Sequence, residues 1–525
     1  MIKYIIVICL LFSINLPEIY CQQPDYIRGK VIDSKTSEPV PFAAVHLKNS
    51  QFGIYSNAEG DFKILNNPGF KTDSLVVTCI GYYRLTVAFS VLNTSEMKYL
   101  KLVPNIIGLN EVRVTARKKR LSPELIIDRA LRNIKKNFPV EPFRYVSYYR
   151  DYQKDSVNYL NLQEAIIQTL DIGFAYPSDS NSYRLLDFKK NMNFLRKNVS
   201  PYYDLPETDH SDVSFKSIPH AVVGDQHGNE FFILLAHDSF RNFNKKTASF
   251  IDTLTKNFIR NHWFSVPMGI YDGSTLLYKI EFTAKRKVTE DTYQGAIFIQ
   301  PDDYSIHKLE YSGSYLDSEK KKKEIFNIEI EYGRETAVNS RMCLKYISFN
   351  NTFTIPDSTD NDFFKFVQAG WWVNKFKPEE HPSEVLVEFN RKIDPVSGKK
   401  IENYSVSVGK RQAKITNIKV DGHNLYITVK NTGFTRKELD STFVTYKNMK
   451  DINGNLLNKR RDLEFRQFRE LFAQEYNKPL VFQNNCFIQA LPLDKNCISN
   501  SEDSKRFWMN TPLKAEEKQQ DSQNH

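Results

Sequence analysis

Residues 56–64 read SNAEGDFKI, with two acids, an asparagine and a glycine set between apolar runs. A metal loop, a catalytic loop and a turn are the competing readings. A calcium loop of the EF-hand type needs acids at its first, third and fifth positions and a glutamate at the twelfth. Here Glu59 and Asp61 are the only nearby acids. Asn57 tolerates left-handed backbone, and Gly60 takes a positive φ without steric cost. The stretch therefore reads as a connection between two strands, which makes the surrounding region a sheet.

Working outward from it, Ile27, Gly29 and Val31 alternate with Arg28, Lys30 and Ile32. The polar run Asp33-Ser34-Lys35-Thr36-Ser37-Glu38-Pro39 follows as a turn. Ala43, Val45 and Leu47 alternate next, then Phe62 and Ile64, then Leu75, Val77 and Cys79, with Gly81 ending the run. Short alternating strands separated by turn residues indicate an antiparallel sandwich.

These residues carry a resemblance. Gly29-x-Val31-x-Asp33, Pro39-Val40, Ala44-Val45, Gly53 to Ser56, Gly60-x-Phe62 and Ile80-Gly81-Tyr82 resemble the carboxypeptidase-like regulatory domain. Leu109-Asn110-Glu111-Val112-Arg113-Val114-Thr115-Ala116 is similar to its exit strand. Two turn positions depart from the pattern: Glu38 precedes the proline where glycine is common, and Ser56-Asn57 replaces Thr-Asp. The resemblance implies a prealbumin-like (transthyretin-like) β-sandwich, a non-catalytic attachment on peptidases and on outer-membrane transporters of bacteria.

The N-terminus reads as an export signal. Lys3 supplies the positive end, Tyr4 to Phe12 the apolar core, and Pro17-Glu18 the break, with cleavage expected near Cys21-Gln22. A lipidated Cys21 is the alternative, against which bulky Tyr20 stands. No later stretch is long and apolar enough for a transmembrane helix. The expected location is the periplasm or outer membrane, extending to the cell surface. Export permits disulfides, and Cys486 and Cys497 are close enough in sequence to pair, while Cys79 reads as a buried strand residue. Seventy-two Lys and Arg against 62 Asp and Glu give a net charge of +10, suited to anionic lipid headgroups or acidic polysaccharide. Glu319-Lys320-Lys321-Lys322-Lys323-Glu324 is flanked by acids and by strands, so it reads as a solvated hairpin turn rather than a nucleic-acid patch.

A length of 525 residues exceeds one core. The expected fold is multidomain and mainly β with an α+β central region. Its parts are a signal peptide (1–21), the regulatory-like sandwich (25–116), a linker and amphipathic helix (117–142), a central β-rich α+β domain (143–375), an Ig-like sandwich (382–458), a helical or irregular segment (459–500) and a disordered tail (501–525). Ser122 is an N-cap, Pro123 fits the first helical position, and Leu125, Ile127, Leu131, Ile134 and Phe138 form an apolar stripe. A further helix is expected at 248–261, and strands at 275–285, 293–300 and 305–313. Tyr293-x-Gly295-x-Ile297-x-Ile299, followed by Asp303-Tyr304-Ser305-Ile306, resembles half-open envelope barrels that carry or sense lipoprotein acyl chains; a plain curved sheet with a filled core is the preferred reading. Val385-x-Val387-x-Phe389-Asn390, Ile393-Asp394-Pro395, Asn403-Tyr404-Ser405-Val406 and Asp451-x-x-Gly454-Asn455 resemble bacterial Ig-like domains of surface proteins. Asp451 with Asn453 and Asn455 offers one carboxylate, too few for calcium. Phe465, Phe468, Leu471 and Phe472 form one face of an expected helix.

A zinc peptidase needs a His–Glu pair, a second His and a catalytic Glu. His227-Gly228-Asn229-Glu230 and His381-Pro382-Ser383-Glu384 have the pair spacing but no peptidase context. No metal, cofactor or catalytic residue is expected, and His227 and Glu230 are the nearest approach to a ligand pair. The sequence leans to a non-catalytic binding or structural protein of the cell envelope, with an envelope protein, a lipid or a glycan as partner and no nucleic acid. The alternative is a hydrolase, a metallopeptidase or glycan-acting enzyme, with its site in the central region.

Overall fold

Alternation along the chain becomes five sheets among the residues described by a computed structural model. It describes residues 26–48, 53–107 (without 58, 67 and 93–95), 121–197, 216–221, 228–243, 256–285, 291–372 (without 318, 358 and 361), 384–478 (without 431–432), 486–499 and 507. The expected signal peptide with Cys21, the exit strand 109–116, His227, His381 and the tail other than Phe507 lie outside the described residues. The chain divides into two units, the first spanning 1–207, 218–352 and 466–525, the second 208–217 and 353–465.

The first unit opens with a seven-stranded sandwich: β1 (Tyr26–Asp33), β2 (Ala44–Leu47), β3 (Gly53–Tyr55), β4 (Asp61–Leu65), β5 (Ser74–Thr78), β6 (Leu85–Ala88) and β7 (Lys98–Leu102). One sheet runs β4-β1-β7 and the other β3-β2-β5-β6. Val31, Phe62 and Ile64 from the first meet Val45, Leu47, Leu75 and Val77 from the second in one core. The opening stretch is a turn. Asn57 Oδ1 accepts from the backbone N–H of Glu59 (3.0 Å) and Asp61 (2.8 Å), and Gly60 has φ +76°. Ser56 Oγ, fully buried, accepts from the Ala43 amide and donates to the Val40 carbonyl, tying the turn to the core.

The same unit holds a 12-stranded sheet. Its strands are β8 (Ile106–Ile107), β9 (Phe143–Lys154), β10 (Tyr159–Asp171), β11 (Ser182–Lys190), β12 (His262–Phe264), β13 (Met268–Asp272), β14 (Thr275–Ala284), β15 (Thr292–Ile299), β16 (Ile306–Leu316), β17 (Lys322–Glu335), β18 (Arg341–Pro356) and, far along the chain, β26 (Asp462–Asn477). The order is β11-β10-β9-β26-β18-β17-β16-β15-β14-β13-β8, with β12 also on β14. Helices α1 (Pro123–Arg132), α2 (Ile134–Asn137), α3 (Glu230–Ala236) and α4 (Lys256–Asn261) accompany this sheet. Phe138 beyond α2 packs on Tyr332 of β17, Phe231 of α3 on Tyr149 of β9, and Phe258 of α4 on Phe282 of β14. The regulatory-like sandwich covers part of the opposite face. Phe42 and Tyr55 stack on Tyr346 of β18 at 4.9 and 5.4 Å, and Tyr159 donates to Glu59 Oε1 at 2.8 Å.

The second unit contains β19 (Phe366–Trp372), β20 (Glu384–Phe389), β21 (Tyr404–Val408), β22 (Arg411–Ala413), β23 (Ile415–Asp421), β24 (Asn424–Val429) and β25 (Thr442–Tyr446), with short helices α5 (Pro395–Gly398) and α6 (Arg436–Leu439). Sheets β19-β20-β24-β23 and β22-β21-β25 enclose Val385, Val387, Val406, Val408, Leu425 and Ile427. It is a two-sheet sandwich.

Four expectations are corrected. The sequence predicts a helical or irregular segment over 459–500, yet 462–477 form β26, buried on both faces between β9 and β18, so apolar and polar residues no longer alternate there. β19, inside the expected central domain 143–375, pairs instead with β20; linear spacing does not reveal that partner. β8, within the expected module 25–116, pairs with β13, and the module forms one unit with the large sheet. On α1, Ile126, Ile127 and Ala130 are buried while Leu125 is exposed, which rotates the apolar stripe. The N-cap stands: Ser122 accepts from the Leu125 amide. Of the expected helix 248–261, only Lys256–Asn261 lies among the described residues.

Candidate functional site

Strands β14 to β17 present apolar residues to the helices and polar ones to the other face, because successive side chains alternate. Ile280, Phe282, Leu309, Tyr311, Ile328 and Ile330 are buried. On the opposite face, register places polar residues in rows. Thr283 pairs with Gln294, Gln294 with Ser312, Ser312 with Asn327 and Asn327 with Asn350. The next row runs Glu281, Ala296, Glu310, Glu329 and Ser348, and a third Lys279, Phe298, Lys308, Glu331 and Tyr346. Over the first two rows opens a groove of about 710 Å³, lined by β14, β15, β16 and β17. Gly295 lies beneath it, and a Cβ there would strike the Glu310 carbonyl and the Phe282 ring.

The charges in this face are largely matched. Glu310 and Glu329 stand opposite each other, an arrangement that repels. Lys308 Nζ sits between them, 3.1 Å from Glu310 Oε1 and in contact with Glu329 Oε1. Burial alone would lower the Lys308 ammonium, but the carboxylates of Glu329, Glu310 and Glu331 outweigh it and hold its pKa well above the ordinary lysine value. Burial raises Glu329, with Lys308 opposing. Burial likewise pushes Glu331 up to about 8 against the pull of Lys308. Lys279 pairs with Glu281 at 3.0 Å, and Arg466 pairs with Glu324. The side chains of Thr283, Gln294 and Asn327 line the groove and make no hydrogen bond to the protein among the described residues.

A second constellation looks catalytic and is not built for it. Ser305 Oγ lies 3.3 Å from His307 Nε2, and His307 Nδ1 lies 4.0 Å from Asp272 Oδ2. A serine nucleophile must reach substrate and give its proton to the histidine. Ser305 is wholly buried and donates to Asp303 Oδ1 at 2.7 Å. Burial and then the Arg334 charge push His307 down to about 4. Asp303 also accepts from the Ser305 amide at 2.9 Å and pairs with Arg334. These groups lock the β15–β16 hairpin, whose Tyr304 sits at φ +59°.

The residues singled out in the sequence fall elsewhere. Glu230 opens α3 and pairs with Arg469 Nε at 2.6 Å, where Arg469 is fully buried. Its partner in the motif, His227, lies outside the described residues. No group of three or more His, Cys, Asp and Glu residues is placed to hold a metal among the described residues. Asp451 accepts from the amides of Asn453 and Asn455 and pairs with Arg391, which makes it the pin of a turn. Cys486 and Cys497 are joined by a disulfide, with Cα atoms 5.6 Å apart, and Cys79 and Cys343 are free thiols. The groove is not visible in the sequence. The polar alternation of β14 to β17 is visible, but any half-buried sheet shows it. Only register brings Thr283, Gln294, Ser312 and Asn327 into one line.

No curated protein matches this chain. Among the described residues no helix is long and apolar enough to cross a membrane. Residues 27–114 match the family model described as the CarboxypepD_reg-like domain, and the seven-stranded sandwich observed there makes this part of the chain a carboxypeptidase-regulatory-like, prealbumin-like module.

Proposed function

We propose that this protein is an exported, non-catalytic binding protein of the cell envelope, acting in the periplasm or at the outer membrane, and that the groove on β14 to β17 is its binding face. The observation that carries the reading is the groove itself: an open polar surface whose carboxylates are engaged by lysine and arginine, while its amides and hydroxyls face outward. A hydrolytic pair would require a carboxyl free to shuttle a proton beside the substrate. In the groove Glu310 and Glu329 share Lys308 instead, and Glu230 is committed to Arg469. A regulatory-like module beside the groove agrees with a binding or structural role. The lysine-led apolar run before Cys21 and the Cys486–Cys497 disulfide support export to an oxidising compartment. The polar lining turns the choice of partner away from acyl chains, which need an apolar cavity.

Fractionation of cells producing the full chain tests the location. The protein is expected in the periplasmic or outer-membrane fraction with its first residues removed, and deletion of residues 1–21 is expected to hold it in the cytosol. Full-length protein in the cytosol would overturn the reading.

A further inference from the structure

We infer that the groove binds an uncharged oligosaccharide, with Trp263 as the stacking platform at one end; this rests on the reading of the groove as the binding face. Trp263 pairs with Thr283 in the β12–β14 register, and directly opposed residues share a face. It therefore extends the row that runs through Gln294, Ser312 and Asn327. Its neighbours His262 and Phe264 turn the other way, into the aromatic cluster with Phe258 and Phe282. Trp263 itself is 67% exposed, a large apolar ring left in water. The Lys285 ammonium lies 4.6 Å from its ring centroid and helps fix its orientation.

The chemistry of this row selects the ligand. Among the described residues, its groups left without a protein partner are a hydroxyl from Thr283 and carboxamides from Gln294 and the half-buried Asn327, each able to donate and accept. Sugar hydroxyls present the same dual character, and the apolar face of a pyranose ring fits a flat indole. From β12 across β14, β15 and β16 to β17 is about 19 Å at the usual strand spacing, the reach of a short oligosaccharide. Other ligands meet specific obstacles. Phosphate and acidic sugars need unengaged cations, and Lys279, Lys308 and Arg466 are each already held by a carboxylate. Peptides that add to a sheet need a free strand edge, whereas β15, β16 and β17 are each paired on both sides.

The test is a titration of the full chain with maltohexaose, cellohexaose and chitohexaose, read by intrinsic fluorescence and calorimetry. An acidic oligogalacturonate, a peptide library and phospholipid vesicles serve as comparison probes. At least one neutral hexasaccharide is expected to bind. Trp263→Ala and Gln294→Ala are each expected to weaken it by about tenfold, with circular dichroism unchanged because both positions lie at the surface. Neutral-sugar binding that survives both substitutions overturns the inference. So does a chain that ignores all three sugars but binds the acidic sugar, the peptides or the vesicles, although the groove then remains a binding face if Gln294→Ala weakens that ligand. Failure of every probe overturns the inference and the binding reading together.

Discussion

Gly60 holds the turn that decides the first domain, through φ +76° and a backbone so close that a Cβ would lie 2.5 Å from the Val31 carbonyl oxygen. Gly60→Ala is expected to cost about 1–3 kcal/mol, seen as faster amide exchange across β1 and β4. This residue was legible in sequence because its demand is local: an Asx turn needs only Asn57, Gly60 and Asp61. Glu331 is the opposite case, since its state depends on Lys308 from another strand and on burial that no local pattern shows. Folded, it keeps its proton to about pH 8; unfolded, it loses it near 4.5. Between those values the unfolded chain binds fewer protons, so this group's contribution to stability falls as pH rises. Glu331→Gln is therefore expected to match the parent near pH 4 and to exceed it by about 4 kcal/mol at pH 8. Exchange of β17 amides across the pH range measures the difference, and a gap that narrows with rising pH would refute the assignment.

At the scale of elements, β26 shows how a strand can pass for a helix. Phe465, Phe468, Leu471 and Phe472 recur at helical spacing, but the strand lies between β9 and β18 and is buried on both faces. Its polar residues are tolerated because each has a partner: Gln467 with Gln153, Arg469 with Glu230 and Glu470 with Arg150. Breaking one such pair strands a buried charge. Glu230→Gln should destabilise the sheet by about 3 kcal/mol, measured by denaturant unfolding, and a Glu230→Gln chain as stable as the parent would show that the pair does not anchor α3. The Cys486–Cys497 staple lies beside β11, where the Ile488 amide donates to Tyr183 and the Ser499 amide to Leu185. Cys497→Ser is expected to remove about 2–3 kcal/mol, with exchange rising first at Ile488 and Ser499. The hairpins of β14 to β16 were legible because their partners are neighbours in sequence. The neighbours of β26 are not, and β19 pairs with a strand beyond 373–383.

For the whole molecule, the regulatory-like module and the two-sheet character of the second unit could be read from turns and alternation. The assembly of the module with the 12-stranded sheet could not, because it rests on Phe42 and Tyr55 meeting Tyr346 from nearly three hundred residues away. The groove belongs to this scale as well: five strands must come into register before its row exists. The proposed role of the protein requires that surface to hold a ligand without cutting it. The most direct measurement incubates the full chain with the hexasaccharide that binds it, then determines the bound fraction and the sugar's chain length by mass spectrometry on the same sample. Stoichiometric binding with the sugar recovered at its full six units is the predicted result; shortened products that disappear with Trp263→Ala would contradict it.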